Sequence, residues 1–98
     1  MTDINTLDEY YFSVKKAVEV AISRSGLDWL ILRPSLLVDG SGAGTVSLGP
    51  AELHHQVARE DVAETLLELL RTPRIAKQIL ELDSGSVLIG EAVRANIR

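Results

Sequence analysis

The sequence has no cysteine and only 4% aromatic residues, one Trp, two Tyr and one Phe among 98. Without thiols there is no disulfide, no thiolate nucleophile and no Cys-ligated zinc. With so few rings, a core drawn from an apolar fraction of 46% has to be built from aliphatic side chains, which favours a parallel α/β fold over a sandwich. Basic residues are also scarce: 10 Lys and Arg face 14 Asp and Glu, and the net charge of -4 is spread along the chain. No surface of that kind tracks phosphates, so nucleic acid is not an expected partner. No apolar run approaches the roughly 20 residues that span a bilayer, and no charged-then-apolar leader opens the chain. A membrane is therefore not an expected partner either, and the expected address is cytoplasmic.

Ninety-eight residues make one small domain, whose folding removes roughly two-thirds of the unfolded chain's accessible surface. Leu7, Tyr11, Val14, Val18 and Ile22 recur at spacings of three and four and predict an amphipathic helix from about Leu7 to Ser25, with Arg24 in its last turn and Gly26 just beyond. Asp28 to Arg33 is short and continuously apolar apart from its ends, the pattern of a strand buried on both faces, and Pro34 ends it. Val38 to Gly49 holds four glycines, a loop composition with a short extended segment at Thr45 to Leu48. Val62, Leu66, Leu69 and Leu70 repeat helically across Arg59 to Leu70, behind Glu60 and Asp61 at the positive end and ahead of Pro73. Gln78 to Leu82 is a second apolar strand, Asp83 to Ser86 a turn, and Leu88 to Ile97 a closing helix.

Helices alternating with apolar strands imply a parallel sheet with crossovers. Two strands do not make a stable one, and one edge of the Asp28 to Arg33 strand is left without a neighbour. The expected fold class is therefore α/β, a partial Rossmann-like fold with few parallel strands and flanking helices. A homo-oligomer or a partner is expected to complete it.

Several stretches carry a family resemblance. Tyr11-Phe12-Ser13-Val14-Lys15, then Ser25-Gly26-Leu27-Asp28-Trp29 with its apolar run into Arg33-Pro34, resembles the Tyr-x-x-x-Lys helix and following strand of atypical short-chain dehydrogenases. Val57 to Ala63 is similar to the start of their late helix, and Gln78 to Gly85 to their last core strand. The NmrA-like and sugar-nucleotide-epimerase-like branches are the nearest in pattern. The resemblance runs along nearly the whole chain from Leu7, and it implies the C-terminal half of an NAD(P)-binding Rossmann-like domain. The Gly-x-x-Gly-x-x-Gly turn that holds the pyrophosphate in such proteins is absent from these 98 residues.

Tyr11 and Lys15, four apart, share a helix face, and an ammonium beside a phenol favours phenolate. The resemblance implies Tyr11 as the catalytic acid/base and Lys15 as both a catalytic and a cofactor-binding residue. The alternative is a core ring on the apolar stripe with Lys15 running along its edge. By the same resemblance Pro34, Ser35 and Leu37 lie at the nicotinamide end of the cofactor. Ser35 stands where many relatives have Gly, and a simple strand terminator is the other reading. Gly40-Ser41-Gly42-Ala43-Gly44 looks like a dinucleotide fingerprint but does not open a helix, so a substrate-side loop is the expectation. His54 and His55, adjacent in sequence, point to opposite sides of an extended chain and are expected to be exposed loop residues rather than ligands of one metal. Glu60 and Asp61 are accounted for by the helix start. The implied cofactor is NAD(P), and the isolated chain is expected to bind it weakly and not to turn over alone. An upstream dinucleotide-binding half or a second copy is the expected partner, and a non-catalytic binding module or part of an NmrA-like redox sensor is the rival reading.

Overall fold

The computed structural model describes residues 19–23 and 29–97. Among the described residues seven strands and two helices follow one another: β1 (Val20–Ser23), β2 (Trp29–Pro34), β3 (Leu36–Val38), β4 (Thr45–Gly49), β5 (Gln56–Ala58), α1 (Arg59–Leu70), β6 (Gln78–Ser84), β7 (Val87–Leu88) and α2 (Ile89–Arg94). The main sheet has the order β1-β2-β6-β4-β7, and β3 pairs with β5 in a small parallel sheet. The chain is a partial Rossmann-like α/β fold built around one parallel pair, β2 and β6, in register from Leu30↔Gln78 to Pro34↔Leu82.

Several expectations change. The predicted helix from Leu7 to Ser25 does not reach its stated end, because Val20–Ser23 is a strand lying antiparallel to β2 with Val20 opposite Leu32 and Ser23 opposite Trp29. Val20 and Ile22 satisfy a period of two as well as part of a helical stripe, and the strand form supplies partners for the backbone groups along the edge of β2. That edge, expected to await another chain, is thus occupied by this one. The segment 45–49, expected as an extended piece inside a loop, enters the sheet as β4 and runs antiparallel to β6, so the sheet is mixed. The double burial expected of the apolar strands also fails among the described residues. Leu30 and Leu32 on β2 and Leu80 and Leu82 on β6 are fully buried, whereas Trp29 and Ile79 stay exposed and Ile31 is half-buried.

The buried face gathers one core. Leu30, Leu32, Leu80, Leu82 and Val46 of the sheet meet Val62 and Leu69 of α1, Ile89, Ala92 and Val93 of α2, and Val57 and Ile75 from the connections. Each such side chain removed from water contributes on the order of 1.5–3 kcal/mol. Helix α1 begins where expected and carries Glu60 and Asp61 in its first turn. Helix α2 is shorter than the predicted Leu88 to Ile97, and a buried Asn96 just beyond it fixes its end. The Asn96 side-chain amide donates to the Leu48 carbonyl (3.0 Å) and the Ala92 carbonyl (2.9 Å), and the Asn96 main-chain carbonyl accepts from Gln78 Nε2 (3.0 Å). One residue thus joins α2 to both β4 and β6. Among the described residues no helix is long and apolar enough to cross a membrane.

Candidate functional site

In open α/β sheets ligands collect outside the carboxyl ends of the parallel strands. Here that end is formed by Pro34 and Ser35 after β2 and by Leu82 to Ser84 at the close of β6. Pro34 has no N–H to continue the ladder, and the next residue turns back onto β6. Both the amide and the hydroxyl of Ser35 donate to the Leu82 carbonyl, each at 2.8 Å. Ser35 therefore spends its donors inside the protein, while Pro34 is buried and Leu37 is half-buried where β3 pairs with Val57. Pro34, Ser35 and Leu37 do come together at this end of the sheet. Tyr11 and Lys15 lie outside the described residues.

Ile79, Glu81 and Asp83 alternate with Leu80 and Leu82 along β6, which places the two carboxylates on the side away from the core. The segment 50–55 folds over them as a strap. Glu52 donates its amide to Glu81 Oε1 (2.8 Å), Ser47 hydrogen-bonds the Glu52 carboxylate, and His54 Nε2 lies 3.2 Å from Glu81 Oε1. Gly49 leaves the room that the Glu52 side chain occupies, since a Cβ there would meet Glu52 Oε2 at 2.7 Å. His55 turns instead to Asp83. Its amide reaches both carboxylate oxygens (3.2 and 3.3 Å), and Nδ1 lies 2.9 Å from Oδ2. The Asp83 side chain is 2% exposed and the His55 side chain 63%. Adjacent histidines thus serve two different carboxylates.

The acids are ionised by their settings. Burial pushes Asp83 up, but its hydrogen bonds, among them those from the Ser84 amide and from His55, outweigh it and hold the carboxyl below the usual aspartate range. Glu81 is lowered by the Glu52 amide and then by His54, with Arg33 contributing. Arg33 stands opposite Glu81 in the parallel register and pairs through Nε with Glu19 Oε2 at 2.5 Å.

The glycine-rich loop lies at the start of α1, and its amides are already engaged. Gly42 N–H donates to Glu60 Oε1 (2.6 Å), Ala43 N–H to Asp61 Oδ2 (3.0 Å) and Gly44 N–H to Asp61 Oδ1 (3.0 Å). Gly40 and Gly44 take positive φ, at 113° and 76°, which lets the backbone curl around the carboxylates. Three convergent amides resemble an anion nest, and two side chains of the same chain fill it. This loop does not fit a pyrophosphate. Glu60 and Asp61 therefore do more than stabilise a helix start, and Asp61 is itself buried at 5% exposure. The pairing of His55 with Asp83 and of His54 with Glu81 went unread in the sequence. The available signal was Glu81-Leu82-Asp83 at the carboxyl end of a strand, with two histidines in the chain to match.

Residues 2–73 match the model of the NAD(P)H-binding family. A UPF0659 protein of Schizosaccharomyces pombe is 31% identical over 84 residues, covering 86% of this chain and 34% of that protein. An uncharacterized sugar epimerase of Bacillus subtilis is 30% identical over 84 residues, with 86% of this chain and 39% of the relative covered. Among solved structures, one described as an NAD-dependent epimerase/dehydratase of Bacillus halodurans superposes with a TM-score of 0.66 at 30% identity, over 74% of this chain and 35% of that one. An oxidoreductase of Lactococcus lactis shares the fold with a TM-score of 0.67 at 22% identity, over 93% and 41%. The chain spans between about a third and two-fifths of the length of these proteins. Matched across well over half of its residues, the chain belongs to the NAD(P)H-binding family, in the atypical short-chain dehydrogenase class its sequence resembles.

Proposed function

We propose that this chain is the substrate-side half of an NAD(P)-dependent oxidoreductase or epimerase and takes the cofactor only when a dinucleotide-binding half, on a longer chain or on a partner, completes it. The observation that carries this reading is the state of the glycine loop. Its three amides are committed to Glu60 and Asp61, so the described residues hold no phosphate cradle, while the carboxyl ends of β2 and β6 stand side by side as a parallel pair, the end of such a sheet at which ligands are received. In this assembly Tyr11 is the acid/base, Lys15 stands beside it in catalysis and holds the cofactor ribose, and Pro34, Ser35 and Leu37 line the nicotinamide end. The cofactor, when bound, supplies hydride exchange at a carbon bearing oxygen. Ser35 acts there through its place in the turn, since its amide and hydroxyl are already turned to Leu82. The setting is cytoplasmic.

The test is a fluorescence titration of NADH and NADPH into the chain by itself. Binding weaker than about a micromolar agrees with the proposal, and a tighter constant, equivalent to roughly 8 kcal/mol or more, overturns it. A second reading, a non-catalytic partner-binding module, is favoured by Trp29 and Ile79, 39% and 41% exposed on the sheet face away from the core. The same face is where a second copy or the missing half would seat.

A further inference from the structure

We infer that Asp83 and His55 form an acid/base pair at the carboxyl end of β6, in which Asp83 positions the ring and His55 Nε2 exchanges a proton with a hydroxyl or carbonyl oxygen of the substrate. The pair is made of residues other than Tyr11 and Lys15. Its geometry is that of an oriented imidazole: a carboxylate 2% exposed, 2.9 Å from Nδ1, and a ring whose side chain is 63% exposed. An ionised carboxylate only accepts, so Nδ1 must carry the hydrogen, and the neutral ring then presents a bare Nε2 lone pair. Asp83 is held ionised by hydrogen bonds from the Ser84 amide and from the His55 amide and ring despite its burial. Those same bonds fix the carboxylate, and the His55 amide, bonded to both its oxygens, fixes the backbone from which the ring projects.

His54 supplies an internal contrast one residue away. It approaches Glu81 through Nε2 (3.2 Å), so its hydrogen belongs on Nε2, and Nδ1 is its bare nitrogen. Two exposed histidines on one strap are thus set in opposite tautomers by two acids on one strand.

The assignment of a hydroxyl or carbonyl substrate rests on the proposed function. In the forward step a substrate O–H bond breaks, its proton bonds to Nε2 and the electron pair stays on the oxygen, a proton exchange additional to the one assigned to Tyr11. In the reverse step Nε2 returns the proton to the oxygen. The imidazolium formed in between faces the Asp83 carboxylate, which stabilises it.

The experiment needs no nicotinamide nucleotide, so it can fail while the cofactor reading stands, and the reverse. Long-range nitrogen-proton NMR on the unaltered chain, above the pH at which the rings are charged, reads both tautomers. We expect hydrogen on Nδ1 of His55 and on Nε2 of His54. Acyl transfer from p-nitrophenyl acetate then reads the reactivity of the bare nitrogen: Nε2 bonds the acetyl carbon, the ester C–O bond breaks to release p-nitrophenolate, and water returns the acetylimidazole to acetate. His55→Gln should lose release on the order of tenfold, Asp83→Asn should lose a comparable share, and His54→Gln should keep it. Hydrogen on Nε2 of His55, or equal losses in His54→Gln and His55→Gln, overturns the pair. The tautomer measurement decides the matter even where a substitution unfolds the chain.

Discussion

A side chain at Gly42 would place its Cβ 2.5 Å from Oδ1 of Asp61, closer than real atoms stand. The glycine loop and the first turn of α1 are therefore fitted to each other at the level of a single hydrogen atom. Gly42→Ala should cost about 1–3 kcal/mol in urea denaturation, because the loop must lift away from the buried carboxylate. Asp61→Asn should cost a similar amount, since an amide oxygen can replace only one of the two acceptors that Ala43 and Gly44 use. A stability unchanged by either substitution would show that the loop is not held in this way.

Asn96 gives a second measurable tie. Asn96→Ala removes the donors of the Leu48 and Ala92 carbonyls at a position 6% exposed, and should cost about 1–3 kcal/mol. Gln78→Ala removes a single bond to the Asn96 backbone and should cost less. Thermal melts of the two variants give the order, and equal costs would place the α2 anchor elsewhere.

Acid should loosen the strap. Asp83 has a lower pKa folded than unfolded, so the unfolded chain binds its proton first, and stability conferred by this group is present above the usual aspartate range. As the pH falls below about 4 that contribution declines, and it is gone once the folded carboxyl is protonated. Denaturation midpoints measured from neutral pH downward should fall along this limb, and Asp83→Asn should flatten it. An unchanged limb in that variant would assign the acid sensitivity to other carboxyls.

Much of this was readable and some was not, for reasons visible at particular residues. Helix α1 was plain because Val62, Leu66 and Leu69 repeat at its period, acids open it and Thr72-Pro73 closes it. Strands β2 and β6 were plain because short aliphatic runs between turn residues have few other solutions. The end of the predicted first helix went wrong where Val20 and Ile22 fit two periods at once, and a backbone edge on β2 decided between them. Strand β4 is only five residues, one of them Gly49, just after three more glycines, so its pairing with β6 is set by tertiary hydrogen bonds rather than by local preference. Of the site, the turn at Pro34 and Ser35 was visible as a strand end. The carboxylate partners of His54 and His55 were not, because they sit 27 and 28 residues away in sequence.

The exposure of Trp29 and Ile79 on the sheet face away from the core makes self-association measurable. Ala21, Ile31 and Ile79 lie in one row across β1, β2 and β6, with Trp29 beside them. Light scattering at low micromolar concentration should find a dimer or larger, and Ile79→Lys should return a folded monomer. Leu30→Lys, a fully buried control, should unfold the chain instead. A dispersed monomer of the unaltered chain would remove the case for a second copy on this face.

Strand β6 is both the centre of the sheet and one of its last pieces in sequence order, pairing with β2 on one side and β4 on the other. A ribosome must therefore release most of the chain before the sheet has any middle. Until then β2 and β4 have no common neighbour, and their aliphatic residues wait in the open. Long-range closure of this kind slows folding and lengthens the exposure of sticky intermediates. Synthesis rate and chaperone supply should then govern the yield of this chain more than its final stability does.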